Sequence, residues 1–183
     1  IFEPHTQLYK RGKASQPVQF GRLVLIFEDA RGFISHHHVM PRDAQDQDVI
    51  VEKTKKLQDR VNNQIEEASF DRGFHSPQNQ QQLAEIIEHV CLPKPGAKQS
   101  VEQAAEASVT FHQSRRRHPG VESAIGALQS GNGLVRCRDG TEVGFERYVA
   151  LAVLGRNLHT LGKLLIASED ALAPAAFSKR AAA

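Results

Sequence analysis

Apolar residues recur along this chain with two different spacings, and the change of spacing divides it into strands and helices. The first segment, Ile1 to Tyr9, mixes apolar and polar residues as a strand does and stops at a basic knot, Lys10-Arg11-Gly12-Lys13. From Val18 to Phe27 the chain is rich in Val, Leu, Ile and Phe. Leu23, Leu25 and Phe27 fall on one face and Val24 and Ile26 on the other. A strand apolar on both faces is expected inside a sheet rather than at its rim. Glu28 to Gly32 reads as a turn and Phe33 to Met40 as a second strand. The pair is a β-hairpin in which Gly32 can supply a positive φ.

After Pro41 the period becomes helical. Val49, Ile50, Leu57 and Val61 mark a helix over Asp48 to Asn63, which Asp46 or Asp48 can cap. Ile65 to Phe70 is a short strand running into Asp71-Arg72-Gly73-Phe74. Ser76-Pro77 starts a second helix, with Ser at the N-cap and Pro at the first helical position. Its inward residues are Leu83, Ile86 and Ile87, and it ends near His89. Val90-Cys91-Leu92-Pro93 is another short buried strand. A Pro/Gly/Lys linker follows from Lys94 to about Gln99, then a polar stretch to His112 without a clear pattern. Val121 to Leu128 is helical and Gly131 and Gly133 make a turn. Val143 to Ile166 is the last strong helix, and the Ala-rich tail 167–183 is expected to be disordered. Hairpin, helix, strand, helix, strand and further helices, in that order, fit an α/β fold. More narrowly, they fit a ribonuclease H-like mixed sheet flanked by helices, with its amino-terminal strand truncated.

Composition narrows this only a little. The 183 residues are 40% apolar and 24% charged, enough for one cored domain. A net charge of +2 supplies no global field toward nucleic acid, so such binding has to come from local clusters. Two cysteines, Cys91 and Cys137, make no disulfide framework and point to a reducing cytoplasm. The strongest apolar run, Tyr148 to Leu154, falls well short of the roughly 20 residues of a membrane helix, so no membrane role is expected. The chain opens at Ile1, already inside a strand, as a piece of something longer would.

Asp71 stands where a buried strand meets a glycine turn, at the mouth where α/β sheets place ligands. Asp-x-Gly is also ordinary turn chemistry. Arg115-Arg116-Arg117-His118-Pro119-Gly120-Val121-Glu122 puts His118 and Glu122 four positions apart, on one helical face. Three arginines beside a lone acid suit phosphate contact next to a metal ligand, and equally a solvated surface. The knot Lys10, Arg11, Lys13 lacks the pattern of a nucleotide-binding loop and reads as a polyanion grip or a solvated turn. His36, His37 and His38 alternate across a strand and cannot converge on one ion.

Several segments, in order, resemble the catalytic domain of DDE-type insertion-sequence transposases, specifically the bacterial ISNCY-type group. They are Ile1-Phe2-Glu3-Pro4-His5-Thr6, Arg11-Gly12-Lys13-Ala14, Phe20-Gly21 and Ser69-Phe70-Asp71-Arg72-Gly73-Phe74-His75-Ser76-Pro77. Later come Arg116-Arg117-His118, Val121-Glu122-Ser123-Ala124-Ile125, Gly144 to Leu154 and Arg156-Asn157-Leu158. The resemblance covers residues 1 to about 166, which it makes a partial catalytic domain followed by the tail. It implies a cytoplasmic bacterial enzyme that cuts and joins DNA at element ends and target, with Mg²⁺ or Mn²⁺ held by carboxylates. Oxygen donors suit such ions, and a pair of them stabilises the attacking and leaving oxygens of a phosphoryl transfer. By motif, Asp71 is the second acid and Glu122 the third. Arg72, Arg115, Arg116, Arg117 and His118 would lie along DNA, and Lys10, Arg11 and Lys13 would touch it further off. Intact relatives imply a homo-oligomer.

Two positions depart from the family pattern. The first acid belongs on the opening strand, where Glu3 is the nearest carboxylate; either Glu3 serves or the acid lies upstream. Pro119-Gly120 replaces small helix-compatible residues, and so either restarts the helix at 119 or breaks it beside Glu122. A catalytically dead DNA-binding remnant and an unrelated Mg²⁺ nuclease are the competing readings.

Overall fold

The computed structural model describes residues 6–10 and 18–172. In chain order its elements are β1 (Gln7–Lys10), β2 (Val18–Gly21), β3 (Val24–Glu28), β4 (Ile34–Val39), α1 (Asp46–Arg60) and β5 (Glu67–Ser69). A 3-10 turn (Arg72–Phe74), α2 (Pro77–Ala84), β6 (His89–Cys91), α3 (Ser100–Glu106), α4 (Val109–Arg117), α5 (Pro119–Ser130) and α6 (Glu142–Leu172) follow. The fold is mixed α/β, and its strands form three two-stranded sheets. β1–β2 and β3–β4 are antiparallel, and β5–β6 is parallel.

The β3–β4 hairpin forms where the sequence places it. Asp29 Oδ1 accepts from the Arg31 and Phe33 amides, each at 2.9 Å, and Gly32 takes φ 84°. The apolar run before the hairpin is not one strand, however. Val18–Gly21 pairs with β1, and β3 begins only at Val24. The expectation that this strand lies inside a sheet is also corrected, since among the described residues β3 pairs with β4 alone. Its two apolar faces have another cause. Leu25, with Phe27 packed beside it, enters a core built with Met40, Val49, Ile50, Phe70, Leu83, Ile87 and Leu92. Val24 and Ile26 pack on a second core of Ile34, Leu128, Val149, Ala152 and Val153. The strand is covered on both sides by helices and needs no second strand neighbour to be apolar.

α1 starts two residues earlier than its periodicity indicates, with Gln45 as N-cap. Asp48 Oδ2 instead reaches back to the Gln45 amide at 3.0 Å. The helix stops at Arg60 because Asn62 and Asn63 take positive φ, 54° and 56°, which asparagine tolerates. α2 is capped as its sequence requires, Ser76 Oγ accepting from the Asn79 amide at 3.0 Å, but it ends at Ala84. Gln58, 2% exposed, holds these parts together. Its amide nitrogen donates to Ile65 O at 2.8 Å and Ile86 O at 2.9 Å, and its oxygen accepts from the Ile65 amide at 3.0 Å. Gln58→Ala strips three partly buried backbone groups of partners. It is expected to destabilise the fold by about 1–3 kcal/mol, measurable as a lower urea midpoint. An unchanged midpoint would show that water replaces the amide.

The stretch that carried no pattern is two helices, α3 and α4. Lys94 pairs with Glu102 at 2.6 Å and Lys98 with Glu106, while Ser108 Oγ caps α4 by accepting from the Phe111 amide at 3.3 Å. Salt bridges and caps fix this segment, so its hydrophobic pattern is faint. α6 docks through Asn157, whose Oδ1 accepts from the Ile34 amide at 2.8 Å and whose Nδ2 donates to Ile34 O at 3.0 Å. It runs six residues past Ile166, so the expected tail is helical as far as Leu172; residues 173–183 lie outside the described part. By length and composition alone, one window of α6 is also long and apolar enough to cross a membrane, wider than the seven-residue run Tyr148 to Leu154.

Candidate functional site

Phe70, 5% exposed, anchors the end of β5 in the first core and leaves Asp71 as the first exposed residue beyond it. Asp71 Oδ1 caps the short turn by accepting from the Arg72 amide at 2.7 Å. The junction of α4 and α5 is tied to the same strand by four side chains. Ser114 Oγ donates to Glu67, Arg115 donates to Phe70 O at 3.4 Å, and Arg117 reaches Glu67 Oε2 at 3.4 Å. His118 Nδ1 meets Ser69 Oγ at 3.2 Å. Pro119 occupies the first position of α5, so the Pro-Gly pair restarts the helix there rather than breaking it. Glu122 then lies in the first turn of α5, where the helix dipole favours a carboxylate.

His118 registers the charge of both acids. Burial lowers its pKa most, Arg115 lowers it further, and Asp71 and Glu122 each raise it. The strand-end acid and the helix acid therefore act on one imidazole, although 51 positions separate them (122 − 71). Arg115 is a strap for the end of β5. Arg116 has no ion-pair partner among the described residues, and Arg117 keeps 70% of its side chain exposed. Arg72 is exposed on the turn beside Asp71. The backbone of Lys10 closes β1, whereas Glu3, Arg11 and Lys13 fall outside the described residues.

Two acids near this place escaped the sequence reading. Asp46, taken there as a helix cap, has its pKa raised by burial first and by Asp71 second. Glu28, taken as a turn residue, has its pKa raised chiefly by burial, with Arg156 opposing. Its Oε2 would lie 3.4 Å from a Cβ placed on Gly120, at the start of α5. Neither position carries a local motif; only the packing of α5 against β3 and of α1 against the Asp71 turn brings them in. Among the described residues no group of three or more His, Cys, Asp or Glu is arranged to hold a metal ion.

The three histidines of β4 line up opposite β3, with His36 facing Phe27 at a ring separation of 5.9 Å. Burial first, then the charges of Arg60, His37, His38 and Lys53, lower the His36 pKa to about 4; His37 and His38 are lowered too. An unfolded histidine titrates near 6.5. Between about pH 6.5 and 4 the unfolded chain thus takes up protons that the folded chain refuses, and stability falls as pH falls through that window. Glu28 and Asp46, with raised pKa, act in the opposite sense. His36→Leu should therefore make the melting temperature less steep in pH across this window than in the wild type. Parallel curves would remove His36 as a cause.

No protein-family model, curated protein or solved structure matches the chain.

Proposed function

We propose that the chain is the catalytic segment of a DDE-type DNA transposase on a ribonuclease H-like scaffold. The observation that carries this reading is the tie between the end of the parallel strand, which runs into Asp71, and the start of α5, which bears Glu122: His118 Nδ1 meets Ser69 Oγ at 3.2 Å and Arg115 donates to Phe70 O at 3.4 Å. In that scaffold the β3–β4 hairpin and the β5–β6 parallel pair are two halves of one mixed sheet. Their common packing on α1, through Leu25, Ile50, Phe70 and Leu83, supports it. The strand that bears the first acid belongs between the halves.

The donor chemistry suits Mg²⁺ or Mn²⁺. Asp71 spends one oxygen on the Arg72 amide, Glu122 makes no hydrogen bond among the described residues, and both are exposed carboxylates of the kind that hold a largely hydrated cation. Such an ion would neutralise charge on the scissile phosphate. The protein's own part is positional. Arg115 and the Ser69–His118 contact fix the two acids' supports against each other, and Arg116 and Arg117 offer guanidinium groups to the DNA backbone beside them. The Arg117–Glu67 pair is exposed and worth under about 1 kcal/mol, so it yields readily to a phosphate. Arg116→Ala and Arg117→Ala should each flatten the slope of log affinity against log salt by about 1.

Plasmid nicking and end-joining with Mg²⁺ or Mn²⁺ test the activity. Cleavage with joining that requires both acids supports the transposase. Cleavage without joining points to a nuclease. Salt-sensitive DNA binding that survives Asp71→Ala and Glu122→Ala, with no cleavage, makes the chain a DNA-binding remnant. Absence of both binding and cleavage contradicts the proposal.

A further inference from the structure

We propose that α6 is the surface through which two copies of this chain associate, along a seam of leucines on the helix face turned away from the core. The proposal does not rest on the DNA reading. Leu151, Leu154, Leu158, Leu161 and Leu165 follow one another at steps of three, four, three and four, the spacing that lets two helices supercoil. Each keeps between 44% and 61% of its surface exposed. The face that α6 buries in its own chain is a different one, made by Val149, Ala152, Val153 and Thr160 with Asn157 docked on Ile34. At 3.6 residues per turn the two faces point roughly 150° apart. Beyond Thr160 the helix loses its support: no residue from Leu161 to Ala171 is buried. Helices this long draw most of their stability from packing, and the projecting turns, which carry Leu161, Leu164, Leu165 and Ile166, have none of it buried among the described residues.

The charges select a second copy as the occupant. Arg156, Lys163 and Asp170 recur every seven residues on the side of α6 farthest from the seam. Between Leu151 and Leu165 the positions flanking the leucines are Gly155, Asn157, Gly162 and Leu164, all uncharged; the first charges on this face are Arg147, one turn before Leu151 and paired with Asp139, and Glu169 after Leu165. A basic or acidic partner finds little to pair with there, whereas two identical seams meet without repulsion and are self-complementary about a two-fold axis. The five seam leucines and Leu164 beside them leave on the order of 550 Å² per copy, about 1,100 Å² for a pair, just above the roughly 1,000 Å² that a specific interface needs. A membrane suits this helix less well. Spanning would expose Arg156 and Lys163 to lipid and tear Asn157 and Thr160 from the hairpin.

Sedimentation equilibrium of the 183-residue chain is the test, from about 5 to 100 µM. The expected mass is twice 20.3 kDa. Replacing both Leu158 and Leu161 by alanine, the best helix former, should weaken association at least a hundredfold with the circular-dichroism spectrum retained. Ile166→Ala, off the seam, should leave the dimer within about threefold. A monomeric wild type at 100 µM would overturn the proposal. So would a double variant that dimerises as well as wild type, or an Ile166→Ala effect as large as the seam variant's. Monomeric behaviour in buffer combined with pelleting on phosphatidylcholine–phosphatidylglycerol vesicles would assign the leucines to lipid instead.

Discussion

Exchanging Asp71 for asparagine is expected to slow divalent-cation-dependent DNA cleavage about a thousandfold or more while leaving the fold intact. A carboxylate that holds a catalytic cation contributes several kcal/mol to stabilising the transferring phosphate, and each 1.36 kcal/mol is a factor of ten. The structural duty of the side chain is small and survives the exchange. Asp71 is exposed, and its one hydrogen bond is accepted from the Arg72 amide, which asparagine Oδ1 can accept equally. Glu122→Gln should behave alike, because Glu122 makes no hydrogen bond among the described residues. Nicking rates at fixed Mn²⁺, read beside thermal melts, separate the two effects. Wild-type cleavage by Asp71→Asn would remove it from the chemistry.

Leu83→Ala is expected to cost about 2–5 kcal/mol, by lost burial together with the cavity left behind. Leu83 is 0% exposed and belongs to the core that joins α1, α2, β3 and the end of β5. For a chain of this length 1 kcal/mol shifts the melting temperature by about 2–4 °C, so a drop of about 5–20 °C is expected. Because Phe70 sits in the same core and immediately precedes Asp71, the variant should also lose cation-dependent activity at temperatures where it remains folded. A change below about 1 °C would mean that the region repacks around the gap, contrary to the full burial of Leu83 in the core it shares with Val49, Ile50 and Phe70.

The hairpin, the Ser76-Pro77 helix start, the two short strands and the last helix could be read from the sequence because each has a local cause. Asp29 and Gly32 set the turn, Ser76 caps, and the long 3.6-residue period of α6 outlasts any strand. The placement of Asp71 after a buried residue, and of Glu122 in a first helical turn, was legible in the same way. What the sequence hid depends on distant partners. β3 looked like an interior strand because two separate cores cover it. α3 and α4 are held by Lys–Glu pairs and a serine cap, which leave little hydrophobic period. Asp46 and Glu28 approach the candidate site only after α1 and β3 have packed. Arg115, read as a phosphate contact, has its guanidinium turned to the carbonyl of Phe70.

Substoichiometric Mn²⁺ titrated into the isotopically labelled chain tests whether Asp71 and Glu122 share one cation beside His118. Paramagnetic broadening is expected to centre on the Asp71, Arg72 and Glu122 amides and the His118 ring, and to be lost in both Asp71→Asn and Glu122→Gln. Broadening centred on one acid and untouched by removal of the other, or centred elsewhere in the molecule, would contradict a shared cation.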